Sequence, residues 1–148
     1  MAPFQFPPAY GYVFGVLASS FFMNTYLIIN VASARKKYKV QYPNLYKIAI
    51  DEKDRKEADE FNSIQRAHQN TLESYAFVML NMCVNGLVYP VASAVMGGLW
   101  VVGRVIYGYG YAQGGPNGRY FGSIIFHLGD IPLIFTSMRI AYDMITKK

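Results

Sequence analysis

Residues Val13 to Ala34 read VFGVLASSFFMNTYLIINVASA. No side chain in this run is charged, and none is charged from Met1 up to it. A helix needs about 20 mainly apolar residues to cross a bilayer. The run therefore reads as a membrane-spanning helix, and that reading sets the fold class. Asn24 and Asn30 interrupt it, so they are expected to face other helices rather than lipid. The start of the chain lacks a positive region and no A-x-A-like site follows, which argues against a cleaved signal peptide. The missing arginines argue against a mitochondrial transit peptide.

The same alternation of apolar and charged stretches continues outward. Arg35, Lys36, Lys37 and Lys39 follow the first run, and a charged stretch extends from Asp51 to Arg66. Six of the nine acidic residues lie in one block, at Asp51, Glu52, Asp54, Glu57, Asp59 and Glu60. Ser74 to Gly103 is again uncharged and too long for one crossing. Asn85-Gly86 and Tyr89-Pro90 mark a turn near its middle. Gln113-Gly114-Gly115-Pro116-Asn117-Gly118 reads as a polar turn that stops a helix. The expectation is an all-α protein, an integral membrane four-helix bundle in one domain over residues 1–148. Its helices fall at approximately 10–35, 60–85, 91–112 and 120–145. Pro132 is expected to kink the fourth helix, and Asp130 to face protein or water as a buried acid at that kink.

Composition agrees. The chain is 53% hydrophobic and 16% charged, against roughly 25% charged in soluble domains. That excludes a disordered chain and argues against an ordinary soluble globule. The formal net charge is +5, but the cations are spread between apolar runs, so no basic nucleic-acid face is formed. The run RKKYK beside the first helix fits lipid headgroups, worth about 1 kcal/mol per charge. Basic residues in the first and third loops place these in the cytoplasm, while Lys147 and Lys148 point weakly the other way. Cys83 alone rules out an intrachain disulfide and a cysteine-rich zinc site, and it reads as a packing residue. There is no P-loop, G-x-G-x-x-G or G-x-S-x-G motif. His127 and Asp130 lack a third metal ligand.

Two helical faces carry chemical potential. Arg66, Asn70 and Glu73 are spaced i, i+4, i+7, which aligns a cation, an amide and an anion. Such a face fits a zwitterion: arginine forks onto a carboxylate, the amide bonds a peptide group, and glutamate receives an ammonium. The alternative is that Arg66 and Glu73 neutralise each other. His68 and Gln69 lie on neighbouring faces. On the third helix Arg104, Tyr107 and Tyr111 share a face. An unpaired charge at Arg104 costs at least about 2.5 kcal/mol, so it needs a partner, and Glu73 is the expected one. The tyrosines read equally as an interfacial aromatic belt. Arg119, after the Gly/Pro turn, reads either as a loop anchor or as a cation able to stabilise a thiolate.

Three segments occur together in order: NVASARKKYKVQYP (Asn30 to Pro43), FNSIQRAHQNTLE (Phe61 to Glu73) and GRVIYGYGYAQGGPNGR (Gly103 to Arg119). They resemble the MAPEG family, the membrane-associated proteins in eicosanoid and glutathione metabolism. The resemblance implies a homotrimer of four-helix subunits that binds glutathione between neighbours, near the cytosolic side. It implies conjugation of glutathione to lipophilic electrophiles, leukotriene A4 among them, or reduction of lipid hydroperoxides. It assigns glutathione contacts to Arg35, Arg66, His68, Asn70, Glu73, Arg104, Tyr107 and Tyr111, thiol activation to Arg119, and no metal. It points to the endoplasmic reticulum membrane, with the mitochondrial membrane as the alternative. One family member binds lipid without catalysis, so a non-catalytic lipid-binding role, or that of an accessory subunit in a larger membrane complex, is the competing expectation. The chain departs from the family pattern in three places. Gly118 occupies a slot that carries arginine in a relative, Ser74-Tyr75-Ala76 follows the glutamate, and Asp130 and Pro132 mark the fourth helix.

Overall fold

The computed structural model describes residues 5–146, without the side chain of Lys53. Lys147 and Lys148, whose charges entered the topology argument, lie outside the described residues. A short 3₁₀ turn at Pro8–Tyr10 leads into four helices: α1 (Gly11–Lys37), α2 (Glu52–Gly86), α3 (Pro90–Gly118) and α4 (Tyr120–Thr146). No strand occurs among the described residues.

The helices alternate in direction. The Tyr10 hydroxyl donates to the Cys83 carbonyl at 2.8 Å, and the Ser20 and Tyr75 hydroxyls meet at 2.7 Å. At the other end of the pair Phe61 packs on Ala34 and Tyr38, so α1 and α2 are antiparallel. Tyr75 packs edge-on against Trp100, and Gly97 lies against Met82, which orients α3 against α2. The chain thus runs up-down-up-down, with α3 in contact with all three other helices. Cys83 is partly buried against the core, among packing residues. Asn24 Oδ1 accepts from His68 Nε2 of α2 at 3.3 Å, so this polar intruder does face another helix.

Three helical stretches are long and apolar enough to cross a membrane: Pro8–Lys37, Pro90–Gly118 and Tyr120–Thr146. α2, the expected fourth span, is not among them. The reason is its composition. Its 35 residues extend about 52 Å at 1.5 Å per residue, and its first half is charged. Only the part from Ser74 onward is free of charge. Counting about 30 Å back from Gly86 reaches Arg66. Arg66 therefore sits where α2 leaves the apolar layer, with Asn70 about one turn and Glu73 about two turns further in. Phe21, Phe22, Phe121, Ile124, Leu128 and Phe135 are exposed on the outside of the bundle, where a lipid environment suits them.

The helix boundaries differ from expectation in two places. α2 begins at Glu52 rather than near Glu60. Asp51 caps it by accepting from the Asp54 amide at 2.8 Å, and Glu52 and Asp54 lie in the first turn, where the helix dipole favours anions. The Gly/Pro turn expected at 113–118 is present as a kink between two helical stretches, but it is shorter than expected. Helical geometry persists through it and breaks only at Gly115, with φ 58° and ψ −149°. Glycine alone adopts that region readily, and Pro116 then suits the start of the next turn.

Pro132 does not end or break α4, which continues to Thr146. Neighbouring groups hold the backbone around it: Thr136 donates to the Pro132 carbonyl and the Asn85 amide donates to the Leu133 carbonyl, each at 2.8 Å. The carbonyl that Pro132 leaves without an N–H is that of Leu128; these two bonds go to other carbonyls and tie α4 to its own next turn and to α2. Asn85, read as a turn signal, is fully buried and ties α2 to α4. Asp130 faces protein, as expected, with its side chain only 13% exposed. Its carboxylate lies 3.1 Å from His127 Nδ1 on the same helix.

α3 and α4 approach closely through glycines. A Cβ on Gly103 would lie 2.4 Å from the Phe126 backbone nitrogen, and one on Gly122 would lie 2.3 Å from that of Tyr107. Small residues let helices in lipid gain packing contacts. Gly122→Ala is therefore expected to push α4 away and destabilise the bundle by about 1–3 kcal/mol, read as a lower thermal midpoint in detergent.

The first loop is fastened to α2. Asn62 bonds both the amide and the carbonyl of Lys47 at 2.9 Å, and Lys47 Nζ pairs with Glu57 and Asp54. Tyr38 donates to Glu60 at 2.5 Å. Burial, and then this bond, hold its phenol above the usual value of 10.

Candidate functional site

The spacing of Arg66, Asn70 and Glu73 puts them on one face of α2, and the structure joins them. Arg66 Nη1 donates to Glu73 Oε1 at 2.7 Å, and Nη2 lies 3.3 Å from Oε2. Asn70 Nδ2 donates to the same carboxylate at 3.3 Å. Without ligand, then, the cation and anion neutralise each other, the alternative weighed from sequence. The Arg66 and Glu73 side chains remain 41% and 47% exposed. An exposed pair of this kind is worth only about 0–1 kcal/mol, so a ligand with both charges can replace it.

Arg104 connects this face to α3. It is 3% exposed. Its partner is not Glu73, as expected, but Asn70 and Ser74. Nη1 donates to Asn70 Oδ1 at 2.7 Å and Nη2 donates to Ser74 Oγ at 2.8 Å. The reason is helical geometry: Asn70 and Ser74 are four residues apart and present two acceptors to one guanidinium. Glu73 is reached one bond further, through the Asn70 amide. Three rings surround the guanidinium carbon, with Phe126 at 3.7 Å, Trp100 at 5.1 Å and Tyr107 at 5.6 Å. Arg104 Nε has no hydrogen-bond partner.

Tyr107 and Tyr111 are buried, at 4% and 7% exposure, and their rings meet edge-on at 5.4 Å. They belong to the bundle interior rather than to an aromatic belt. The belt reading suits Tyr109 and Tyr120, which are exposed. Arg119 follows α3 and sits over Tyr111 at 5.6 Å and Tyr120 at 5.8 Å. The Tyr107 hydroxyl, then the neighbouring phenols, keep Arg119 more firmly protonated than a free guanidinium. Arg66, Glu73, Asn70, Arg104, Tyr107, Tyr111 and Arg119 thus form one connected series across α2 and α3.

Two sequence candidates lie apart from that series. Arg35 donates to the Asn44 carbonyl at 2.9 Å and stacks 4.4 Å over Tyr42. His68 turns toward Asn24 on α1. Three other residues join the site unannounced. Ser74 was recoverable from its i+4 spacing to Asn70. Tyr46, which donates to Gln69 at 2.5 Å beside Arg66, and the ring of Phe126 gave no signal of their own.

A cavity of about 820 Å³ lies between the ends of α1, α2 and α3. Of the candidate residues only Tyr111 lines it. The charged face is therefore an open wall of the bundle and not an enclosed pocket. Among the described residues no cluster of three or more His, Cys, Asp or Glu is placed to hold a metal ion.

Comparison with known proteins follows the same lines. The chain is similar to an uncharacterized protein of Synechocystis sp., 32% identical over 88 residues, which cover 59% of this chain. The matched part spans 57% of the length of that relative. Residues 13–142 match the family model described as the MAPEG family. With three apolar helices able to cross a bilayer and this match over most of its length, the chain is an integral membrane protein that belongs to the MAPEG family.

Proposed function

We propose that this protein is a membrane-bound glutathione transferase that also reduces lipid hydroperoxides. Its three family-like segments resemble those of the type-three microsomal glutathione transferases. The observation that carries the reading is the bonded series Arg66–Glu73–Asn70–Arg104 at the membrane boundary of α2. Glutathione is a tripeptide with two carboxylates and one ammonium. Arg66 suits a carboxylate, Glu73 the ammonium, and Asn70 a peptide group. Arg104 holds Asn70 in place, and Tyr107 and Tyr111 form the wall behind it. The residues present fit the ligand because both members of the Arg66–Glu73 pair are partly exposed and matched in charge.

Arg119 supplies the chemistry proper. A cation beside the thiol favours its thiolate. The thiolate sulfur attacks the electrophilic carbon, a carbon–sulfur bond forms, and the leaving group departs with the bonding pair. With a hydroperoxide, two glutathiones lose two electrons and two protons and become the disulfide. The peroxide becomes alcohol and water. Leukotriene A4 is an electrophile of the right lipophilic class, opened as an epoxide without a leaving group.

The charged face is one wall, and a second copy completes it. This gives a homotrimer in which Arg35 and His68 serve the site of a neighbour. The endoplasmic reticulum membrane is the proposed location, with the mitochondrial membrane as the alternative. Purified protein in detergent is expected to conjugate 1-chloro-2,4-dinitrobenzene, with chloride released, or to reduce a lipid hydroperoxide. Absence of both activities at saturating glutathione counts against catalysis.

A second reading is a non-catalytic lipid-binding member or an accessory subunit of a larger membrane complex. The exposed Arg139, paired with Asp143 on the outward side of an apolar helix, favours it. Glutathione binding without turnover, in a hetero-oligomer by mass, would select that reading.

A further inference from the structure

We infer that Phe126 of α4 is a positioning residue for the glutathione face, acting through Arg104. The inference rests on the proposed binding role of that face. It concerns a helix that contributes no polar group to the ligand.

The geometry forms a chain of contacts. Arg104 Cζ stands 3.7 Å from the centre of the Phe126 ring, which is cation–π contact at close range. Phe126 is 4% exposed, and its ring also meets Tyr107 at 5.5 Å. It cannot shift outward freely. It reaches Arg104 because Gly103 precedes that arginine. Any side chain at Gly103 would meet the Phe126 backbone.

Stacking on a ring fixes the plane of a guanidinium. With that plane set, Nη1 and Nη2 point at Asn70 Oδ1 and Ser74 Oγ. Because Arg104 occupies Asn70 Oδ1, the amide presents Nδ2 toward Glu73. Phe126 therefore determines which end of the Asn70 amide faces the ligand. Without the ring Arg104 keeps its charge but loses its orientation. The Asn70 amide is then free to rotate, and Glu73 loses a donor.

The test compares Phe126→Leu, which removes the ring, with Phe126→Tyr, which keeps it. Two readouts are taken on the detergent-solubilised full chain. The first is glutathione affinity by calorimetry, alongside KM and kcat. Phe126→Leu is expected to weaken binding and raise the KM for glutathione about tenfold, with kcat changed less than threefold. Phe126→Tyr is expected to stay within twofold of wild type. An affinity in Phe126→Leu within twofold of wild type overturns the inference. So does an equal loss in both variants, which would indicate packing rather than the ring.

The second readout does not depend on glutathione. Trp100 is the single tryptophan, and its ring lies 5.1 Å from Arg104 Cζ. Its emission reports where the guanidinium is. Phe126→Leu is expected to reproduce the emission shift of Arg104→Gln, and Phe126→Tyr to leave emission unchanged. If wild type binds no glutathione, the function reading fails and this readout judges the inference alone. Wild-type emission in Phe126→Leu then overturns it.

Discussion

Arg104→Met is expected to abolish measurable glutathione binding and to destabilise the bundle by about 3 kcal/mol. Two hydrogen bonds from a charged donor are lost, each worth about 1.5–3 kcal/mol. The Asn70 and Ser74 acceptors are left without that donor, and methionine recovers part of the loss by packing against the rings. Asp130 and Glu73 also lose a nearby positive charge. Binding should fall more than 100-fold, because the Asn70 amide that joins Arg104 to Glu73 is no longer held. The measurements are a thermal unfolding midpoint in detergent and a calorimetric glutathione titration. An unchanged affinity in a folded Arg104→Met protein would remove Arg104 from the site.

Arg119→Ala separates binding from chemistry. Its guanidinium lies beside Tyr107, Tyr111 and Tyr120 rather than within the Arg66–Glu73 network. Glutathione affinity should change less than threefold. Turnover should drop about 100-fold, the usual loss when one group that stabilises a reacting anion is removed. The sign of the pH effect follows. The cation favours the thiolate and so lowers the pKa of the bound thiol. Its removal raises that pKa, so the rate profile should move toward higher pH. Full activity in Arg119→Ala with an unshifted profile would rule out the thiolate role.

The sequence makes the large features legible and hides the small ones for physical reasons. α1 is readable because a charge-free run long enough to cross a bilayer has few alternatives. The early start of α2, capped by Asp51, was not legible because the charged segment that follows has no apolar periodicity. The turn before Arg119 was signalled by glycine and proline, yet only Gly115 leaves helical geometry. The shared face of Arg66, Asn70 and Glu73 was legible from their i, i+4, i+7 spacing. The partner of Arg104 was not, since the choice between Glu73 and the Asn70–Ser74 pair depends on how α2 and α3 are rotated against each other. Phe126 was invisible because an apolar residue in an apolar helix carries no chemical signal. Its role comes only from the close approach of α4 at Gly103.

The same logic explains the uneven distribution of charge. The low charged fraction reflects helices that face lipid. Arg66, Arg104 and Arg119 interrupt or border that surface, and each has anionic, amide or aromatic groups waiting for it. Arg35 is likewise held, by the carbonyl of Asn44 and the ring of Tyr42 in the first loop.

The most direct test titrates glutathione calorimetrically into the purified wild-type chain in mild detergent, with Glu73→Gln in parallel. The account predicts saturable binding to wild type and a loss of at least tenfold in affinity in Glu73→Gln, where the ammonium loses its anion. Absence of saturable heat in a folded wild-type protein, or equal affinity in the variant, would contradict it.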